Sequence, residues 1–335
     1  FENGLCQLGY RLIFLTNKVS LIIRSKSVGI RAHLVTKNTA GFCDEDLSRT
    51  ADVFLGHLSG SQARELYLSF HNKAKEIAAN HSIELILFWN GSQSPQNLAV
   101  KRFARANSVR TLFFEAPNIE RKLFVDPRGV NAESFIYNNI QYLRTFTPDS
   151  ACFDAWRQDF LETKKKGPVP PQAKINKGIN NLLFPLDIAA FSFLPIPKSG
   201  NANLLKKMWE KTGNRFAPFK YDSYELERSD FVFYPMQVRW DTQLLVNSSH
   251  SNLTAIVEAA KIANRKGLTL LVKPHPAESD FSERHDIIEA KQRYHFILVN
   301  YPSIKLVQHA KLVVTINSSV GLEALLLDKP IRFLG

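Results

Sequence analysis

Cysteine is scarce: Cys6, Cys43 and Cys152 are the three in 335 residues. They lie far apart, match no metal-ligand spacing and cannot all pair, which argues against a disulfide framework or a cysteine zinc site and fits a reducing cytoplasm. Long apolar runs are also missing. Even Leu182–Pro197 is interrupted by Pro185, Asp187, Pro195 and Pro197, well short of the roughly 20 apolar residues a membrane helix needs. No secretory signal is visible. The chain starts at Phe1 without an initiator Met and stops at Gly335 just after the apolar run Pro330–Leu334, so it reads as a piece trimmed at both ends. Internal repeats and low-complexity tracts are absent. So is a dense basic tract with interleaved aromatics: the one run is Lys164-Lys165-Lys166, which argues against a nucleic-acid partner.

What is present is a chain with 44% hydrophobic residues, enough to bury two ordinary cores. Its formal net charge of +12 suits an anionic partner, whether nucleic acid, a phospholipid surface or a phosphorylated or acidic sugar. Scattered surface Lys and Arg would give the same number. Charge by itself does not choose among these.

In the first half, Tyr10–Thr16, Ala32–Val35, Glu84–Phe88 and Arg110–Phe114 are short apolar runs expected as parallel strands. Helical patterns lie between them, clearest over Gln62–Asn80 and Ser94–Asn107. Alternation of this kind predicts a parallel sheet. Asn90 and Glu115 then follow carboxyl ends of strands, the edge at which open α/β sheets bind ligands. From Thr163 the composition changes to KKKGPVPPQAKINKGINN, a connector by its Pro, Lys and Gly. The stretch from Asn181 to Asp230 is expected to be mostly helical. Three parts follow: a Rossmann-like N-terminal domain over 1–165, a linker and helical segment over 166–225, and a second Rossmann-like, nucleotide-binding-like domain over 226–335. In the last, Phe231–Pro235, Leu268–Val272, Phe296–Val299, Leu312–Thr315 and Ile331–Leu334 are strands, with helices over Asn252–Arg265 and Ser319–Leu327. The predicted class is α/β, two Rossmann-like domains with parallel sheets facing a cleft, the GT-B architecture.

Three turns carry candidate chemistry. Leu268–Val272 runs into Lys273-Pro274-His275-Pro276, where two prolines fix the turn and aim the imidazole out of the strand end, able to donate to or protonate a phosphate oxygen. Lys273 adds a point charge. A capped strand end with an incidental histidine is the competing reading. Leu312–Thr315 leads through Ile316 to Asn317-Ser318-Ser319, a strand, a small polar turn and a helix start, which form an anion site from free N–H groups and Ser hydroxyls. Ordinary capping by Asn317 or Ser318 also suffices. Co-occurrence of the two turns at one sheet edge favours the site. Glu323, one turn into that helix, is either a ribose-hydroxyl acceptor or a solvent-facing glutamate. After Phe231–Pro235 comes Gln237-Val238-Arg239-Trp240-Asp241-Thr242-Gln243; Asp241 is a candidate base or nucleophile toward an anomeric carbon, with an N-cap aspartate as the alternative. In the first half Asn90, Glu115 and Arg121 are candidate ligand residues, and strand-end capping is the commoner role for Asn90 and Glu115.

The set Tyr234-Pro235-Met236-Gln237, Asp241-Thr242-Gln243, Val272–Glu278 and Thr315–Leu325 resembles the bacterial capsule polysaccharide biosynthesis and export family, which includes the β-Kdo transferases. Phe113-Phe114-Glu115 and Lys122–Asn131 resemble its N-terminal segment, so the likeness runs from about Glu84 to Gly335. It implies a GT-B-like fold, a CMP-activated acidic sugar such as CMP-Kdo as donor, a glycolipid or glycan acceptor, and no catalytic metal or bound cofactor. Carried over, His275 contacts the CMP phosphate, Ser318 and Ser319 hold it from the helix start, and Asp241 is the nucleophile of retaining transfer. The alternatives are a transferase with another nucleotide-activated donor, such as a UDP-sugar or CDP-polyol, and a non-catalytic glycan-binding or export protein. Together with the basic surplus, the likeness suggests a cytoplasmic protein peripheral on the inner membrane.

Overall fold

The computed structural model describes the chain apart from residues 1–3, 5–6, 92, 117–121, 167–178, 201–218, 228–229, 240, 246 and 277–280. The fold divides into two compact units, one of residues 1–115, 124–130 and 176–204, the other of residues 116–123, 131–175 and 205–335.

In the first unit, β1 (Ile13–Thr16), α1 (Val19–Ser27) and β2 (Arg31–Leu34) make a parallel pair with its crossover helix. Helix α2 (Gly60–Asn80) starts where Ser59 accepts from the Gln62 N–H and Gln62 answers to the Ser59 N–H, satisfying two end donors reciprocally. Next, β3 (Leu85–Trp89), α3 (Pro95–Ala106) and β4 (Arg110–Glu115) repeat the parallel unit, with Ser94 as the α3 cap and Pro95 in its first turn. The single sheet expected of this half is thus two: β1–β2, and β3–β4–β5, where β5 (Phe124–Asp126) runs antiparallel to β4. The reason for that reversal is length, since a parallel return needs a crossover of a dozen or more residues and Glu115 to Phe124 is too short for one.

Helix α4 (Ser150–Lys165) lies in the second unit although the sequence reading placed it in the N-terminal domain, while α5 (Ile179–Phe193) returns to the first. The Asp187 carboxylate on α5 accepts from the backbone N–H and hydroxyl of Ser20 at 2.9 and 2.6 Å, tying α5 to α1. Past Phe193 the expected helix does not continue over the described residues, because Pro195 and Pro197 disfavour helical backbone at and before them.

The second unit is a fully parallel five-stranded sheet in the order β10-β9-β6-β7-β8. Its elements are β6 (Phe231–Pro235), α6 (Asn252–Lys266), β7 (Thr269–Lys273), α7 (Phe281–Tyr294), β8 (Ile297–Leu298), α8 (Ser303–His309), β9 (Leu312–Thr315), α9 (Val320–Leu326) and β10 (Ile331–Phe333). Central β6 is buried on both faces, as the uninterrupted apolar run requires. Period two then divides it: Val232 and Tyr234 pack among Ala255, Ile256, Ala259 and Ile287 of α6 and α7, and Phe231 and Phe233 pack among Leu306, Val307 and Ala324 of α8 and α9. Each such aromatic contributes roughly 2–3 kcal/mol by burial. Ser251 and Thr254 form the capping box of α6, and Gly267 closes it at φ 64°, where a glycine carries no Cβ penalty.

Candidate functional site

The strand order β10-β9-β6-β7-β8 places β7 on one side of β6 and β9 on the other. Chain direction across the sheet therefore reverses between β6 and β9, and crevices at such reversals are where open α/β sheets take ligands, beyond the carboxyl ends of the strands. All three polar turns leave that edge: Gln237–Asp241 after β6, Lys273–Pro276 after β7 and Asn317–Ser319 after β9.

Pro235 pairs with Lys273 in register, and the Met236 N–H donates to the Lys273 carbonyl at 3.0 Å, so the first two turns start side by side. Lys273 is half-buried and its ammonium donates to the Ser303 hydroxyl at 3.0 Å. Burial pushes the Lys273 pKa down, and the Glu323 carboxylate opposes this. Any affinity that depends on the Lys273 charge is therefore expected to fall as pH rises, with its midpoint below the ordinary lysine value. Titrating nucleotide affinity against pH in the wild type and in Lys273→Met checks this, the variant losing the alkaline limb. His275 is half-buried, between a buried Pro274 and an exposed Pro276.

The turn after β9 is built largely from its own bonds. The Ser318 N–H donates to the Thr315 hydroxyl at 3.3 Å, and the Ser318 hydroxyl accepts from the Val320 N–H at 3.2 Å. Ser318 thus serves the helix start, as the capping alternative required. Ser319 makes no side-chain capping bond. Asn317 is a clamp: its N–H donates to the Gln237 side-chain carbonyl at 3.0 Å, and its amide nitrogen donates to the Asn247 carbonyl at 3.2 Å. These two contacts hold both ends of the segment that carries Asp241. The Asp241 backbone carbonyl accepts from the N–H groups of Leu244 and Leu245 at 2.9 and 3.1 Å, starting the one-turn helix Thr242–Leu245, and its side chain is half-buried. Asp241 thus stands at a helix start, within a segment that Asn317 holds at Gln237 and Asn247.

Glu323 does not face solvent. It is 4% exposed, and Lys164 of α4 reaches it at 2.9 Å. The Arg157 guanidinium donates to the Leu326 carbonyl at 2.6 Å and also pairs with Asp328, so α4 is pinned along α9. In the sequence Lys164 is one of a basic connector run, and nothing local announces its pairing with Glu323. The same holds for Asn252, Glu283 and the side chain of Gln237, which form a buried polar cluster beneath the turns. The signal was faint: a polar residue opening an otherwise apolar helix face.

In the first unit, Asn90 is exposed at φ 63° and its N–H donates to the Phe114 carbonyl at 2.8 Å, ending β3. Gly91 follows at φ 78°, and a Cβ there would stand 2.6 Å from Val130. Glu115 is half-buried and pairs in register with Phe124 of β5. Arg121 lies outside the described residues. Lys273, His275, Asn317, Ser318, Ser319, Glu323 and Asp241 are thus collected by one sheet of the second unit, and Asn90 and Glu115 by the β3–β4–β5 sheet of the first.

Asp44-Glu45-Asp46 has the Asp-x-Asp spacing found where carboxylates hold a metal, and both its aspartates are engaged: Asp44 with Arg102 at 2.7 Å, Asp46 with Ser48 at 2.6 Å. Among the described residues no group of three or more His, Cys, Asp or Glu side chains is placed to hold a metal ion, and no helix is long and apolar enough to cross a membrane.

A parallel sheet with three polar turns over its reversal point is the arrangement at which open α/β sheets take ligands. Residues 199–335 match the model of the family described as capsule polysaccharide biosynthesis protein, which bears out the resemblance read from the motifs of this half. No curated protein matches. Among solved structures, the chain is similar to the β-Kdo 2,7 transferase of Thermosulfurimonas dismutans KpsC at 14% identity and a TM-score of 0.45, over 97% of this chain and 79% of that one. The β-Kdo 2,4 transferase of the same KpsC gives 17% and 0.40, over 75% and 68%. The UDP-GlcNAc 2-epimerase of Methanocaldococcus jannaschii gives 14% and 0.30, over 96% and 82%.

Proposed function

We propose that this chain is a glycosyltransferase of capsule polysaccharide biosynthesis, of GT-B arrangement, which transfers Kdo or a related acidic sugar from its CMP donor to a glycolipid or glycan acceptor with retention. The observation that carries the reading is the convergence of Asp241, His275 and the Ser318-Ser319 turn on one carboxyl edge, at the reversal between β6 and β9, within the stretch that matches the family.

On this reading Lys273 and His275 take the donor phosphate, with Ser319 and its N–H as further donors, all preorganised and partly withdrawn from water. An Asp241 carboxylate oxygen attacks the anomeric carbon. The bond from that carbon to the phosphate oxygen breaks, its electron pair leaves with CMP, and His275 supplies a proton or hydrogen bond to the departing phosphate. The acceptor hydroxyl then displaces Asp241, losing its proton, and two inversions restore the donor configuration. The phosphate is held by side chains and backbone donors in this scheme, with no metal assigned a role. Asn90, Glu115 and Arg121 are proposed on the acceptor side, and the basic surplus would favour an anionic glycolipid or the inner-leaflet surface.

Thermal melting with CMP, CDP, UDP, UMP and GDP tests the donor assignment. A selective rise with CMP, lost in His275→Ala, is the expected result. Equal shifts with UDP and CMP would move the reading to another nucleotide-activated donor, and no shift with any nucleotide would favour a non-catalytic glycan-binding protein.

A further inference from the structure

Beneath the three turns lies a polar cluster in an otherwise apolar core. Asn252, at the first helical position of α6, is 0% exposed. Its side-chain oxygen accepts from the Tyr234 hydroxyl at 3.1 Å and from the Gln237 N–H at 3.0 Å. Its amide nitrogen donates to the Gln237 carbonyl at 2.7 Å and to the Glu283 carboxylate at 2.9 Å. An asparagine side chain has two acceptor sites and two donors, and here all four are used. The start of α6 does not need this side chain, because Ser251 caps it and Thr254 completes the box. Asn252 is therefore spent on the neighbouring loops.

Those loops are the ones that carry the candidate site. Gln237 begins the segment leading to Asp241, and its own side-chain carbonyl accepts from the Asn317 N–H at 3.0 Å. Glu283 is in the first turn of α7, which returns from the Lys273–Pro276 turn. A buried amide with all four of its hydrogen bonds made favours one arrangement of the loops around it, whereas apolar contacts tolerate several. Burial and the nearby Glu283 charge hold the Tyr234 phenol far above its ordinary range, so it stays a hydrogen-bond donor.

We infer that Asn252 and Gln237 are positioning residues: acting through each other and Asn317, they fix the spacing between the Asp241 segment and the phosphate turn across the reversal of the sheet. This rests on the proposed function for its kinetic consequence, and on the geometry alone for its structural one.

The test compares Asn252→Leu, Gln237→Leu and Gln237→Glu with the wild type, using CMP as the binding probe and CMP-Kdo as donor, at a temperature where melting and circular dichroism show each to be folded. Gln237→Glu keeps an acceptor oxygen for the Asn317 N–H and should retain most turnover. Both leucine variants should lower kcat about 10-fold or more while CMP affinity falls less than that, because each turn remains intact and only their spacing is lost. Amide exchange of the free protein should quicken at Asn317 and at residues 237–241, and stay unchanged over β7 and β9.

Two outcomes overturn the inference: folded leucine variants with wild-type turnover, or exchange that quickens evenly through the whole second unit, which is the mark of a purely structural role. If the wild type neither binds CMP nor turns over the donor, the proposed function fails, and the amide exchange alone decides the positioning role. In a variant too unstable to study, Gln237→Glu against Gln237→Leu still makes the comparison, since both leave Asn252 in place.

Discussion

Asp241→Asn is expected to lower glycosyl transfer by at least about 10³-fold, the scale on which loss of a covalent nucleophile is felt, with CMP affinity close to that of the wild type. The carboxamide keeps the shape of the side chain, and the Asp241 backbone carbonyl that accepts from Leu244 and Leu245 is left in place. Initial rates with CMP-Kdo and an acceptor, beside calorimetric titration with CMP, separate the two effects. Undiminished turnover would remove Asp241 from the mechanism and leave it as the start of the helix Thr242–Leu245; loss of turnover together with loss of the fold would be read with Asp241→Glu, which retains a carboxylate.

Lys164→Met should cost about 2–3 kcal/mol of stability, at or just below the foot of the roughly 3–5 kcal/mol range for breaking a buried ion pair, because Glu323 is left 4% exposed without this partner while Lys164 itself is partly exposed. Lys273, whose pKa already registers Glu323, softens the loss. Urea unfolding at constant slope measures the difference. The double variant Lys164→Met with Glu323→Leu should recover part of the stability, since both partners of the pair are removed while Lys273 loses the carboxylate that opposes its burial. If the single variant lies within about 0.5 kcal/mol of the wild type, the usual range for surface substitutions, the pair is a surface contact and α4 is held by Arg157 and apolar packing instead.

The candidate site was legible in the sequence where its chemistry is local. Lys273-Pro274-His275-Pro276 and Asn317-Ser318-Ser319 each follow a short apolar run directly, and a strand that ends in polar turn residues announces its own carboxyl edge. The strands of the second half emerged within a residue or two of their expected bounds for the same reason. Glu323 was legible as a residue and not as an environment: three residues into a helix, its periodicity does not reveal that α4 covers it. The role of Asn317 was hidden likewise, because a turn asparagine reads as a cap until its partners, Gln237 and Asn247, are seen.

Sequence by itself determined the α/β character, the parallel sense of the second sheet and the three turns that leave it, since apolar runs of strand length alternating with helical periodicity leave few other arrangements. Tertiary structure alone decided the rest. It set the order β10-β9-β6-β7-β8, which puts the reversal under Asp241 and Asn317. It sent α4 to the second unit and turned Glu323 inward. It also gathered Tyr234, Gln237, Asn252 and Glu283 into one bonded cluster. The physical reason is separation along the chain: capping and periodicity act within a few residues, whereas the partners of a buried charge or amide are chosen by which distant elements can exclude water around it together.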